Sequence, residues 1–289
     1  MCRFVAYIGN TPILLKELLE APKNSLINQS KQAKEGLHGI NADGFGVAWY
    51  DQEVDSIPGV FKSIQPAWND SNLDHLARKV KSNCFLGHVR ASTVGDVTLN
   101  NCHPFTYGDY SFVHNGTIRH FPDTRRALTT ELADVFFNEI RAQTDSEHLF
   151  ALIMNFLHLD EQRSLEVAVK KSFEWIKNNQ KDKDAEHFSR LNICLTNGIE
   201  MIATRYVTKD IDPLSLYYAT KHFDAPFSES TPEETPDSSE YTVIASEPLS
   251  DYAKEWKEVP NNHYLYIDVT HKMHVRSFED ASTTLRHIS

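Results

Sequence analysis

Met1-Cys2-Arg3-Phe4-Val5-Ala6-Tyr7-Ile8 opens the chain. A cysteine follows the initiator methionine and starts an apolar run, a pattern that predicts a buried strand. Removal of Met1 would leave Cys2 as the N-terminal residue, with a thiol and a free α-amine on one carbon. The thiolate is a strong nucleophile. An α-amine titrates near pH 8, so it can serve as general base for its own thiol near neutral pH. Taken alone, Cys2 is equally well an ordinary second residue, and the rest of the chain decides between the two.

Moving outward, Gly9-Asn10 is a turn signal. Thr11-Pro12 then predicts the N-cap and first position of a short helix ending at Leu19. Residues 22 to 42 are polar and are expected as a surface loop. Ala42 to Tyr50 reads as a turn entering a strand, and Gly44 and Gly46 suit a close backbone approach. Residues 51 to 70 are turn-rich, and Leu73 to Val80 has helical spacing. Cys84-Phe85-Leu86-Gly87-His88-Val89-Arg90 predicts a strand ending in an arginine. A buried arginine needs a partner, either a structural ion pair or a bound carboxylate that fits its planar fork.

Tyr110 to His114 predicts a strand running into Asn115-Gly116. That dipeptide is either a hairpin turn or a pair of donors for an oxyanion. Helices are expected over 129–143 and 146–158, with Asp145 or Ser146 capping the second. A third is expected from Ser164 to Asn178, its apolar positions Leu165, Val169, Phe173 and Ile176 facing a core. Lys177 to Glu186 is charged and expected as a solvated loop. Arg190 to Thr196, Asn197-Gly198 and Ile199 to Tyr206 form the clearest hairpin in the chain. Strands are also predicted at Tyr241–Ala245, Tyr264–Val269 and Met273–Phe278. The stretch 223–240, rich in Ser, Pro and acidic residues, predicts an exposed loop.

The 289 residues are 40% hydrophobic and 11% aromatic, enough for a sizeable core. A net charge of −11 argues against nucleic acid or an anionic membrane as partner. No apolar stretch approaches the ~20 residues that span a bilayer, and the first residues do not have the pattern of a signal peptide. The four cysteines lack C-x-x-C spacing, so zinc-knuckle and thioredoxin motifs are absent and a reducing cytoplasm fits. Cys84 and Cys194 sit in apolar runs and are expected in the core, and burial is also expected for Cys102. His271 and His274, at i and i+3 on a strand, point to opposite faces and predict no shared metal. His88 and His103 are expected to be structural hydrogen-bonders that hold Arg90 and its loop.

Four segments occur in order: Met1-Cys2-Arg3, Gly87-His88-Val89-Arg90-Ala91-Ser92-Thr93, His114-Asn115-Gly116 and Thr144-Asp145-Ser146-Glu147. Together they resemble the glutaminase domain of class II glutamine amidotransferases, an N-terminal-nucleophile hydrolase family. The later Ser246-Glu247-Pro248, Trp256 and Val259-Pro260 resemble the C-terminal part of its stand-alone members. The resemblance implies one glutaminase-type domain over residues 1–289. It also implies an α+β fold, a four-layer α/β/β/α sandwich of two mainly antiparallel sheets. It assigns Cys2 as nucleophile, Asn115 and Gly116 as oxyanion hole, Arg90 to a glutamyl α-carboxylate and Asp145 to its α-ammonium, with Thr93 adding a hydrogen bond there.

The chemistry is coherent in its own terms. Two preorganised donors at a tetrahedral oxyanion contribute ~3–4 kcal/mol each. One cation and one anion at the two charges of an α-amino acid select a γ-glutamyl amide over a plain amide. The implied reaction forms a γ-glutamyl thioester on Cys2, which water cleaves to glutamate. Ala91 and Val94 stand where members with a synthase domain carry Trp and His, so the segment resembles the stand-alone, hydrolase-type branch. The expected substrate is a small molecule, glutamine or a γ-glutamyl peptide or conjugate, with no cofactor and no metal. Two alternatives remain open at this level. One is a glutaminase subunit that passes ammonia to a separate synthase, and the other is a non-catalytic glutamyl-binding regulator. A homodimer is also compatible with the sequence.

Overall fold

Phe4, Val5, Ala6, Tyr7 and Ile8 are all fully buried, so the opening apolar run is covered on both faces. Each fully buried Phe or Ile there contributes roughly 1.5–3 kcal/mol. The computed structural model describes residues 2–35, 40–92, 95–180, 188–220, 241–251 and 256–279. The opening run belongs to β1 (Arg3–Leu14), followed by α1 (Lys16–Leu19), α2 (Leu26–Lys31), β2 (Phe45–Trp49), β3 (Gly59–Ser63), α3 (Ser71–Ala77) and β4 (Lys81–Val89). Next come β5 (Phe105–Tyr107), β6 (Tyr110–Thr117), α4 (Phe121–Glu131), α5 (Asp134–Phe137), α6 (Asp145–Leu159) and α7 (Leu165–Asn179). The chain continues through β7 (Arg190–Thr196), β8 (Met201–Arg205), β9 (Tyr217–Thr220), β10 (Tyr241–Ala245), β11 (Lys257–Glu258), β12 (His263–Ile267) and β13 (Met273–Ser277).

The strands form two antiparallel sheets. One has the order β11-β9-β10-β1-β4-β2-β3 and the other β13-β12-β8-β7-β6-β5. Side chains alternate along a strand, and the cores follow that alternation. Phe4, Ala6 and Ile8 pack against Val113, Cys194 and Ala203 of the second sheet. Val5 and Tyr7 face the other way, onto Leu18, Leu26 and Leu73 from α1, α2 and α3. On the far side of the second sheet, Phe112, Leu191 and Ile193 pack on Leu149, Ile153 and Phe173 of α6 and α7. The result is the expected four-layer α/β/β/α sandwich, with β1 central in its sheet between β10 and β4.

Several local expectations change. The helix expected from Thr11 is strand instead: β1 resumes pairing with β4 at Ile13 after a register irregularity, and only Lys16–Leu19 is helical. Edge pairing to Ser82 and Lys81 outweighs the Thr-Pro cap signal. The loop expected over 22–42 contains α2, capped by Ser25, whose Oγ accepts from Asn28 N at 3.2 Å. The turn-rich 51–70 contains β3, paired along its length with β2. The helix expected over 129–143 is replaced by α4, ending at Glu131, and the short α5. Thr144, not Asp145 or Ser146, caps α6, accepting from Glu147 N at 3.3 Å. Asn115-Gly116 is no hairpin; it lies within β6, opposite Asn192 and Leu191 of β7. The third helix, with Ser164 as its cap, and the hairpin around Asn197-Gly198 are as expected. α7 runs to Asn179, and 181–186 of the expected charged loop fall outside the described residues, as does the whole acidic loop at 223–240.

Candidate active site

Strand alternation directs Cys2 and Asn115 into the layer between the sheets and sets Arg90 beside Cys2. Phe4 and Ala6 face the second sheet, so Cys2 does as well. Phe4 pairs with His88 and Arg3 with Val89, and one further step sets Cys2 opposite Arg90. From the other sheet, Val113 faces the same layer, and so does Asn115 two residues on.

Cys2 is half-buried, while Cys84, Cys102 and Cys194 are buried, so Cys2 is the one cysteine open to a ligand. Its Sγ lies 3.6 Å from the Ala91 carbonyl. Burial pushes its thiol above the usual range, the Ala91 contact and the Arg90 charge work the other way, and the Asp145 charge adds to the rise. The thiol is therefore neutral at physiological pH and needs a base to become a nucleophile. Burial pushes Cys84 up to about 12 and holds Cys194 well above the usual thiol range, and neither competes.

The start of β1 is clamped by residues from the far end of the sequence. Arg3 is 1% exposed, and its Nε donates to Glu247 Oε1 at 2.8 Å. Arg3 Nη1 also donates to the Cys2 carbonyl at 2.9 Å and Nη2 to the Glu35 carbonyl. Glu247 accepts in addition from Lys34 N at 3.0 Å and Glu35 N at 2.9 Å. Ser246 completes the clamp, accepting from Phe4 N at its Oγ and donating its own N–H to the Phe4 carbonyl, each at 3.0 Å. A buried ion pair with its remaining lone pairs satisfied holds one geometry.

Arg90 is 3% exposed and sits just past the end of β4. Its guanidinium donates to Asp96 O at 3.1 Å, Ser92 Oγ at 3.1 Å and Gly95 O at 3.4 Å. The partner of the buried arginine is thus a loop wrapped around its head. Asp43 secures that loop, its Oδ2 accepting from Ser92 N at 2.7 Å. Thr93 lies outside the described residues.

Asp145 is 5% exposed, in the first turn of α6, where the helix N-terminus favours an anion. Its Oδ2 accepts from Ile118 N at 2.7 Å, two residues past Gly116. Asn115 is buried, and its Oδ1 has no hydrogen-bond partner. Gly116 has no room for a side chain: a Cβ there would run into the Arg190 carbonyl and the His114 ring.

His88 and His103 behave differently from each other. His88 Nε2 bonds the His114 carbonyl at 3.2 Å, so it is a structural hydrogen-bonder as expected, but it holds β6 rather than Arg90 and its loop. Neither ring nitrogen of His103 has a partner, so the expected hydrogen-bonding role fails for it. Its ring instead lies tilted against His88, centroids 4.1 Å apart, and meets the edge of Phe105 at 4.6 Å. The His103 carbonyl occupies the space a Cβ on Gly46 would take, the close approach that glycine predicted. Cys102 is buried as expected. His274 pairs with Asp268 at 2.9 Å. A cavity of about 350 Å3 lined by Lys62, Phe105, Tyr107, Phe136, Glu147 and Met154, among others, includes none of the predicted residues.

The profile of the family described as glutamine amidotransferases class-II matches residues 21–284. This chain belongs to the class-II glutamine amidotransferases. Among relatives it is 37% identical to "Probable glutamine amidotransferase DUG3" of Saccharomyces cerevisiae, over 92% of this chain and 82% of that one. It is 29% identical to the γ-glutamyl-hercynylcysteine sulfoxide hydrolase of Mycobacterium tuberculosis, over 94% of both. Among solved structures, a glutamine aminotransferase class-II domain protein from Silicibacter pomeroyi superposes with TM-score 0.66 at 26% identity, covering 96% of this chain and all of the other. The glutamine phosphoribosylpyrophosphate amidotransferase of Bacillus subtilis shares the fold, TM-score 0.63 at 17% identity, with this chain covering 49% of its length.

Some residues around this candidate site carry no reading of their own in the sequence. Ser246-Glu247 is visible there only as a motif, and its grip on Arg3 depends on a contact 244 residues apart. Asn192, buried opposite Asn115, donates to the Leu214 and Ser215 carbonyls while its Oδ1 lacks a partner. Its signal was a polar residue inside an apolar strand, since such a residue has to earn its burial through hydrogen bonds.

Proposed function

We propose that this class-II glutamine amidotransferase hydrolyses a γ-glutamyl amide, with Cys2 as nucleophile once Met1 is removed. The α-amine of Cys2 takes the thiol proton, and the thiolate attacks the γ-carbonyl carbon. The tetrahedral oxyanion is met by the Asn115 side-chain amide and the Gly116 N–H. Collapse breaks the C–N bond, the α-ammonium protonates the departing ammonia or amine, and a γ-glutamyl thioester remains. Water, deprotonated by the α-amine, cleaves that thioester to glutamate and restores the thiol. Arg90 holds the α-carboxylate of the glutamyl group and Asp145 its α-ammonium, with Thr93 adding a hydrogen bond at that end.

One observation carries the reading: the one cysteine with exposure begins the strand paired with the Arg90 segment and faces the layer into which Asn115 points. The neutral thiol and the need for a base agree with an N-terminal nucleophile. The relative named a γ-glutamyl-hercynylcysteine sulfoxide hydrolase supports hydrolysis of a γ-glutamyl conjugate. The test is glutamate release from a panel of γ-glutamyl amides, glutamine included, by wild type and Cys2→Ala. Release from at least one member that Cys2→Ala abolishes is the expected result. No release from any member, or release that survives Cys2→Ala, overturns it.

A further inference from the structure

Nucleophile and oxyanion donors come from different sheets, so no strand ladder sets the distance between them. Strand β6 adds to the problem. β5 pairs with it only from Tyr110 to Phe112. Beyond Phe112, β6 has β7 on one side and, among the described strands, no neighbour on the other. Asn115 and Gly116 lie in that half-supported stretch.

We propose that His88 is a positioning residue that fixes the oxyanion hole against Cys2. The inference rests on the hydrolytic reading above. His88 lies opposite Phe4 in the β1–β4 register, two residues before Arg90 and on the face shared with Cys2. Its Nε2 crosses the layer to the His114 carbonyl, 3.2 Å away. That carbonyl belongs to the peptide unit that carries the Asn115 N–H. Because a peptide unit is planar, holding its oxygen also sets the direction in which the chain enters Asn115.

The chemistry of the ring limits it to this task. A carbonyl only accepts, so the hydrogen sits on Nε2. Burial holds the imidazole down to about 3, so it stays neutral, and Nδ1 has no partner. Neutral, with its one N–H given to a carbonyl, His88 positions that carbonyl. Contact with the tilted His103 ring, centroids 4.1 Å apart, restricts the ring from turning away.

The same stretch is braced from its other face. His114 Nε2 donates to the Arg190 carbonyl at 3.1 Å, and its Nδ1 hydrogen-bonds Ser146 Oγ at 2.9 Å. Ser146 follows Asp145 in the first turn of α6. His114 thus joins the oxyanion stretch to the helix that carries Asp145, and His88 joins it to the sheet that carries Cys2.

The test compares His88→Leu, which removes the donor, with His88→Gln, whose side-chain amide reaches the same carbonyl. For each protein, kcat and KM are measured with the best γ-glutamyl amide, along with inhibition by glutamate and by its γ-aldehyde analogue. The aldehyde adds to the Cys2 thiol as a hemithioacetal with an oxygen in the oxyanion hole, while glutamate reports the recognition of its α-end. His88→Leu should lower kcat by about 100-fold and weaken the aldehyde by a similar factor. Its KM and glutamate inhibition should stay within about threefold, and His88→Gln should recover kcat to within about tenfold of wild type. Unchanged kcat, equal loss of aldehyde and glutamate binding, or a Gln variant no better than Leu overturns the proposal. If His88→Leu does not fold, His88→Asn replaces it, its shorter amide falling short of the carbonyl. Wild type that hydrolyses its substrate while the variants show no split overturns this proposal alone. Wild type that neither hydrolyses nor binds the aldehyde overturns the functional reading, and this proposal with it.

Discussion

Replacing Glu247 by Gln removes the charge that faces Arg3, while both residues are 1% exposed and 2.8 Å apart. Opposite charges with centres near 4 Å attract by about 4 kcal/mol at an effective dielectric of about 20. Removing one partner of such a pair strands the other, at a cost of about 3–5 kcal/mol. Gln keeps one carbonyl oxygen for Arg3 Nε or the Glu35 N–H, so Glu247→Gln should fall near 3 kcal/mol. Glu247→Ala should reach about 5, because the N–H groups of Lys34 and Glu35 lose their acceptor as well. The double variant Arg3→Met with Glu247→Met removes both charges and should recover much of the loss. Urea unfolding at pH 7, with unchanged slope, measures all three. The clamp also holds the Cys2 carbonyl through Arg3. Alkylation of Cys2 by a glutamine-like diazo-ketone should therefore slow in Glu247→Gln under conditions where the protein remains folded. A loss below about 1 kcal/mol with an unchanged alkylation rate would refute the account of the clamp.

Asn115→Ala should lower kcat by about 10²–10³-fold with little change in KM, as expected for a donor used only in the transition state; a rise in KM alone would place Asn115 in ground-state binding. Arg90→Lys should lose the fork geometry that grips both the loop carbonyls and a carboxylate, raising KM for glutamyl substrates at least tenfold, and steady-state kinetics decide it. Acid should destabilise the fold earlier than carboxylate protonation alone. Burial holds His88 down to about 3 and His148 to about 4, so both are neutral when folded and take protons on unfolding. Their contribution is complete above the unfolded histidine value of about 6.5 and is lost as pH falls from there, roughly 1 kcal/mol per pH unit for each. Chemical unfolding at pH 7, 6 and 5 measures the slope, and a flat profile over that range contradicts it.

The candidate site was legible where chemistry is written in local sequence. Cys2 after Met1, the arginine closing an apolar run, and Asn-Gly after another each announce themselves within a few residues. The core alternation of β1, β6 and β7 was legible for the same reason, because burial imposes period two. What escaped depends on distant partners. Thr11-Pro12 looks like a helix start until β4 supplies an edge for Ile13 and Leu14. Gly59–Ser63 has weak strand character and becomes β3 only beside β2. Asn115-Gly116 has the composition of a hairpin turn, but its pairing with Asn192 and Leu191 keeps it extended. Glu247 and His88 act across sheets or across most of the chain, and no local spacing encodes such contacts.

The central claim is a live N-terminal thiol beside a glutamyl pocket, and intact mass before and after incubation with a diazo-ketone analogue of glutamine tests it most directly. The expected result is a chain that has lost Met1 and gains one adduct, absent from Cys2→Ala. A chain that keeps Met1 and gains no adduct, or an adduct that persists in Cys2→Ala, contradicts it.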